Sequence, residues 1–82
     1  MNSGQDRLKR LRWQSRRGMK ELDVLFEAFF SQQNELLISG GWPELEEVLG
    51  QEDDVLFDWV SGRNLPTNPD VRALIDALAD AV

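Results

Sequence analysis

Apolar residues in the second quarter of the chain recur with a helical period. They are Met19, Leu22, Leu25, Phe26, Phe29 and Phe30, with Leu36 and Leu37 keeping the same phase beyond polar Gln33. Apolar side chains three or four positions apart line one face of an α-helix, so the spacing predicts a helix from Met19 to near Ile38, before Gly40 and Gly41. The same period returns in Leu45, Val48 and Leu49, in Leu56, Phe57, Trp59 and Val60, and in Val71, Leu74, Ile75, Leu78 and Val82. Start and stop signals divide these runs. Pro43 suits a first helical position and acids follow it, Gly50 closes that helix, Asp53 or Asp54 can cap the next, and Gly62 can end it. After the linker "RNLPT", Asn68-Pro69-Asp70 reads as a helix start. At the other end, Asp6 can cap a helix from Arg7 to about Arg16. Residues 1–6 then form a disordered N-terminus ahead of a helical domain of residues 7–82.

No stretch alternates like a strand, repeats or falls into low complexity. The expected fold is therefore all-α, a compact five-helix bundle in a single domain. A chain of 82 residues is near the size at which one core only just outweighs conformational entropy. Burying an aromatic side chain contributes roughly 1.5–3 kcal/mol, so Phe57, Trp59 and the phenylalanines of the second helix are assigned to the core. Trp42, beside two glycines, either packs as a staple on the third helix or stays partly exposed.

Composition removes most catalytic chemistry. The chain has no cysteine and no histidine, hence no disulfide, thiolate nucleophile, imidazole base or thiolate and imidazole metal ligand. Glu21, Asp23 and Glu27 share one predicted helix at spacings that serve surface salt bridges, and they do not make an acid/base pair. Gly18 stands alone with no strand before it, so neither a P-loop nor a dinucleotide fingerprint is present. No catalytic residue, metal site or enzymatic activity is expected. No apolar core follows the N-terminal basic residues, and no run approaches the ~18 apolar residues of a membrane span. A soluble, cytoplasmic chain without membrane insertion is the expectation.

Charge then changes the picture. The net charge is −6, yet residues 1–20 carry seven cations against Asp6 alone, a net of +6. Residues 21–82 carry Arg63 and Arg72 against fourteen carboxylates, a net of −12. Either the basic segment packs against the acidic remainder, or it meets a partner. A duplex nucleic acid is one possible partner, because Arg7, Lys9, Arg10, Arg12, Arg16 and Arg17 lie on about two helical turns. A sequence pI of about 4.4 opposes it, since dedicated nucleic-acid binders usually have a pI above ~9. A protein partner fits better. Trp13 points away from the Leu8/Leu11 face among Arg12, Arg16 and Arg17, and Trp and Arg are the types enriched at interface hot spots. Gly18 can adopt a positive φ and let another backbone approach, while Glu21 can pair with Arg17 or cap the second helix and so fix the turn.

The segment "RLRWQSRRGMKELD" resembles the small FAD assembly factors of succinate dehydrogenase and fumarate reductase, the flavinylation factor family. The resemblance rests on an Arg-Gly-x-x-Glu motif, here Arg17-Gly18-Met19-Lys20-Glu21, preceded by a basic helix with a tryptophan. Leu22-Asp23 and paired Phe29-Phe30 follow it, and "EDDVLFDWVSGRNLP" is similar to the family's later acidic and Leu-Phe-x-Trp segment. The chain departs from that pattern at "SGGWP", where Leu-Ser/Thr-Asp is commoner, and at Asp54-Val55, where Asp-Pro is commoner. The resemblance implies a chaperone-like factor that binds the flavoprotein subunit and promotes covalent attachment of FAD to a histidine there, holding no cofactor stably itself. That chemistry joins the histidine to the flavin 8α-methyl carbon and needs the groups held in place with negative charge on the ring stabilised. By motif match, Arg17, Gly18 and Glu21 contact the partner, and Arg10, Trp13, Arg16 and Asp23 extend the surface.

Overall fold

The computed structural model describes residues 3–81 and contains six helices. They are α1 (Ser3–Gln14), α2 (Lys20–Gln32), α3 (Asn34–Ile38), α4 (Leu45–Leu49), α5 (Asp53–Ser61) and α6 (Pro69–Ala79). No strand occurs among the described residues, as an all-α reading requires, but the count of five helices is corrected to six. The long second helix divides at Gln33. Its N–H still donates to Phe29 O (2.9 Å) and its carbonyl still accepts from Leu37 N (2.9 Å), so the hydrogen-bond ladder continues while the backbone turns. Tertiary packing explains the turn. α3 packs chiefly on α1, with Leu37 fully buried and Leu36 left 47% exposed, and the Gln33 side chain accepts from Trp42 Nε1 (3.1 Å).

Three other helix starts move. α1 begins at Ser3, so residues 3–6, expected to be disordered, are helical, and Met1 and Asn2 lie outside the described residues. Gly4 permits this extension. A Cβ there would stand 2.3 Å from the Ile38 carbonyl oxygen, so the close crossing of α1 and α3 requires a residue without a side chain. α4 starts at Leu45, two residues past Pro43, and α5 has Glu52 rather than Asp53 or Asp54 at its N-cap, without a side-chain cap. Asp53 and Asp54 occupy its first turn, where the positive end of the helix dipole favours them.

The other signals hold. Asn68 Oδ1 accepts from Asp70 N (2.8 Å) and Val71 N (3.4 Å), with Pro69 opening α6. Gly62 adopts φ +79 after α5, and the Asp58 carbonyl takes the N–H groups of Arg63 and Asn64 (2.9 and 3.2 Å). Leu8 and Leu11 of α1, Leu22, Phe26, Phe29 and Phe30 of α2, Leu37, Leu45, Val48, Leu56 and the α6 stripe Val71, Leu74, Ile75 and Leu78 form one core. Val82, the expected end of that stripe, lies outside the described residues. Phe29 is the hub, edge-on to Phe30 (centroids 6.2 Å) and tilted against Trp42 (5.8 Å). Trp42 is thus half-buried on α2. Trp59 packs at the core's edge, and Phe57 is half-buried rather than central.

Replacing Gly4 by alanine tests the α1–α3 crossing. On an open helix face the change gains about 0.5–1 kcal/mol. Here the Cβ displaces a backbone carbonyl, so Gly4→Ala is expected to reverse that sign and lower urea-unfolding stability by about 1–3 kcal/mol.

Candidate functional site at the turn after the first helix

The chain between α1 and α2 is short and alternates. Ser15 is buried, Arg17 and Met19 are half-buried, and Arg16, Gly18 and Lys20 are exposed. Met19, just before α2, has extended angles (φ −100, ψ 108), while Gly18 ahead of it is left-handed (φ +76), so the chain turns sharply between the two helices. Ser15 anchors the exit from α1, its Oγ donating to Arg12 O (2.7 Å). Asp23, on the first turns of α2, accepts from the Arg17 backbone N–H (3.1 Å). The turn is therefore fixed by Asp23 and not, as expected, by Glu21. Glu21 is exposed, and its carboxylate makes no hydrogen bond or ion pair among the described residues.

Arg17 points inward. Its side chain is only 11% exposed, and its guanidinium donates to Gln51 O (2.8 Å), Asp53 Oδ1 (3.0 Å) and Leu49 O. These acceptors are the C-terminal end of α4 and the first turn of α5. Arg7 does the same for α3, donating to Leu37 O (2.5 Å) and Trp42 O (3.1 Å). Helices α2 to α6 have no basic residue in their last turns, so the cations that favour a helix C-terminus come to α3 and α4 from α1 and its exit. Of the two readings of the basic segment, packing against the rest of the chain therefore holds for Arg7 and Arg17, and Arg17, expected at the partner contact, has its side chain turned inward.

What remains outward is specific. Trp13 is 77% exposed. Arg10 is exposed and pairs with Glu46 (3.2 Å), and Arg12 lies over the Phe30 ring, 5.3 Å from its centroid. Lys9, Arg16 and Lys20 have no acceptor for their side chains among the described residues. Arg16 borders three shallow hollows: one with Lys9, Arg12 and Trp13, one with Trp13, Gln14, Glu46, Leu49, Gly50 and Asp53 whose floor includes Arg17, and one with Arg12, Ser15, Asp23, Glu27 and Phe30. Gly18 stands at φ +76 with no atom within 4 Å of where a Cβ would be. Its conformation demands glycine, and its outer side is open to another molecule.

Trp13, Arg16, Gly18 and Glu21 are therefore solvent-facing, Arg10 is tied to Glu46, and Arg17 and Asp23 serve the turn from inside. Asp53, Glu46 and Gln51 were not anticipated. For Gln51 and Asp53 a signal was present in "GQEDD", a carboxylate run just after a helix-ending glycine in a chain whose first helix is crowded with arginines.

This is a small all-helical domain whose fixed, open turn is flanked by an exposed tryptophan and unpaired cations, with Trp and Arg among the residue types enriched at protein interfaces. By sequence the chain belongs to the Sdh5 family, described as flavinator of succinate dehydrogenase, which it matches over residues 9–82. It is 37% identical over 75 residues to the FAD assembly factor SdhE of Pseudomonas aeruginosa, covering 92% of this chain and 89% of that one. It is 34% identical over 67 residues to the protein of the same name from Coxiella burnetii, covering 82% of each. No solved structure matches. None of the helices described is long and apolar enough to cross a membrane.

Exposure and strain separate two substitutions. Trp13→Ala is expected to leave stability within about 0.5 kcal/mol, because the ring buries little. Gly18→Ala is expected to cost about 1–2 kcal/mol through its left-handed φ alone, since no neighbour obstructs the methyl group. Urea titration with matched m-values checks both.

Proposed function

We propose that this chain is an FAD assembly factor. It binds the flavoprotein subunit of succinate dehydrogenase, or of fumarate reductase, and promotes covalent attachment of FAD to a histidine of that subunit. Membership of the flavinator family across residues 9–82 carries the reading, and the exposed Trp13, Arg16 and Gly18 support it. The chain has no histidine to accept the flavin, so the bond forms within the partner. The role left to the factor is chaperone-like: it holds the flavoprotein where the partner's own groups react.

FAD belongs to the partner in this reading. The hollows beside Trp13 and Arg12 that draw on more than one helix set two arginines against two carboxylates, Arg16 and Arg17 against Glu46 and Asp53 or Arg12 and Arg16 against Asp23 and Glu27, and so offer no net positive charge to a pyrophosphate. The carboxylate-free hollow is lined by Lys9, Arg12, Trp13 and Arg16, all on α1 and its exit, and does not enclose a ligand. A bacterial cytoplasmic setting agrees with relatives from Pseudomonas and Coxiella. A nucleic-acid reading loses ground, because Arg7 and Arg17 are already committed to carbonyls and cannot neutralise phosphates.

The test is co-expression with an apo flavoprotein subunit in cells lacking their own factor, with covalent flavin read by in-gel fluorescence after denaturation. Wild type is expected to give a fluorescent band. Gly18→Arg should abolish it with the helical circular dichroism unchanged, and Trp13→Ala should weaken flavoprotein binding by about 2 kcal/mol or more, roughly thirtyfold. Absence of a band with wild type folded and the flavoprotein intact overturns the reading.

A further inference from the structure

The buried guanidinium of Arg17 separates two roles that the motif runs together. We infer that Arg17 and Asp53 are positioning residues: they lock the Arg16–Gly18 turn onto the α4–α5 junction, and Arg17 does not itself meet the partner. The inference deepens the assembly-factor reading and rests on it for its functional half.

Four observations converge. First, three of the five N–H donors of the Arg17 guanidinium are taken by Gln51 O, Asp53 Oδ1 and Leu49 O, and the Asp53 carboxylate already balances its charge. Second, Nε is buried without a partner, so the head group is inserted and does not lie across the surface. Third, the Arg17 backbone is tied from the other side, by Asp23 accepting its N–H. The residue thus bridges α2 to the α4–α5 junction, with its neighbours Arg16 and Gly18 facing out between those anchors. Fourth, the junction has no cation of its own: the last turn of α4 has no basic residue, and α5 opens with Asp53 and Asp54.

The consequence is a preformed surface. Without the anchor, the segment between Ser15 and Lys20 keeps its ends, through Arg16 N–H on Trp13 O (3.3 Å) and Met19 O accepting from Asp23 N (2.9 Å), but its glycine centre has only the Asp23 carboxylate to order it, and the competent turn becomes one conformation among several. A binder whose competent state is populated a fraction of the time loses affinity by that fraction, and saturating concentrations restore the complex. A residue that contacts the partner's reacting region instead changes the saturated rate as well.

Two readouts decide the matter. In the free protein, Arg17→Gln is expected to speed amide hydrogen exchange at residues 16–19 about tenfold or more, while core amides of α2 and α6 stay protected. In the flavinylation assay with purified components, Arg17→Gln should raise the half-saturating factor concentration about tenfold with the saturated rate within about twofold of wild type. Asp53→Ala should shift it in the same direction by less, because the two carbonyl acceptors remain. The double variant should be no worse than Arg17→Gln alone, as expected for residues acting through one interaction.

Effects of Arg17→Gln and Asp53→Ala that multiply, or a saturated rate that collapses, would overturn the inference and return Arg17 to the interface. Unchanged turn exchange overturns it as well. Full rescue by Arg17→Lys does the same, since one ammonium cannot occupy the two sites that the guanidinium nitrogens fill. If wild type promotes no flavinylation, the assembly reading falls by itself, and the exchange measurement alone decides the anchor.

Discussion

The turn between α1 and α2 and the α4–α5 junction close around one inserted cation. Arg17 draws Leu49 O and Gln51 O at the end of α4 and Asp53 at the start of α5 to one planar head group, while Asp23 holds its backbone from α2. Hydrogen bonds to a charged donor contribute about 1.5–3 kcal/mol each, against about 1–3 kcal/mol for the buried, unpartnered Nε. The balance favours insertion only because several acceptors converge. Such a network is destabilised heavily when one member is removed, so its geometry is held, and everything attached to it is held as well. In this chain what is attached is the turn that carries Arg16 and Gly18.

Arg7 repeats the device one helix earlier. α3 and α4 have five residues each, too short to stand without tertiary support, and their carbonyl ends would otherwise be left to water. Arginine suits the task because its planar fork reaches two acceptors at once and stays charged when desolvated. The basic end of the sequence is thus divided by direction. Arg7 and Arg17 complete helices, Arg12 covers Phe30, Arg10 meets Glu46, and Lys9, Arg16 and Lys20 keep their charge for solvent.

Much of the fold was legible in the sequence because helical periodicity reports burial directly. The α6 stripe, the Asn68-Pro69 start, the Gly62 stop and the Phe29–Phe30 core all follow from local rules. Gln33 escaped those rules. Leu36 and Leu37 keep the helical phase, and only the packing of α3 on α1 and the indole of Trp42 make the chain turn there. The site was legible in composition and not in direction. Reading Arg16 and Arg17 as neighbours on helical turns put both near Trp13, whereas α1 ends at Gln14 and beyond it Arg16 stays exposed while Arg17 turns inward. No local signal distinguished them, because the acceptors of Arg17 lie more than thirty residues away. Asp23 and Glu21 exchanged roles for the same reason: the turn's register decides which carboxylate reaches back.

Charge direction also bears on recognition. A strongly acidic domain with a few outward cations repels polyanions from most of its surface, so its affinity for nucleic acid is suppressed while one face stays attractive to carboxylates. Committing Arg7 and Arg17 internally sharpens that contrast, because the cations left outside are too few to bind a phosphate backbone without further contacts. Selectivity must then come from shape: the exposed indole of Trp13, the bare backbone at Gly18 and the fixed angle between them. An encounter set by charge and completed by shape needs that angle to exist before the partner arrives. The inward arginine supplies it, and so a residue that never leaves the interior governs how the surface is read.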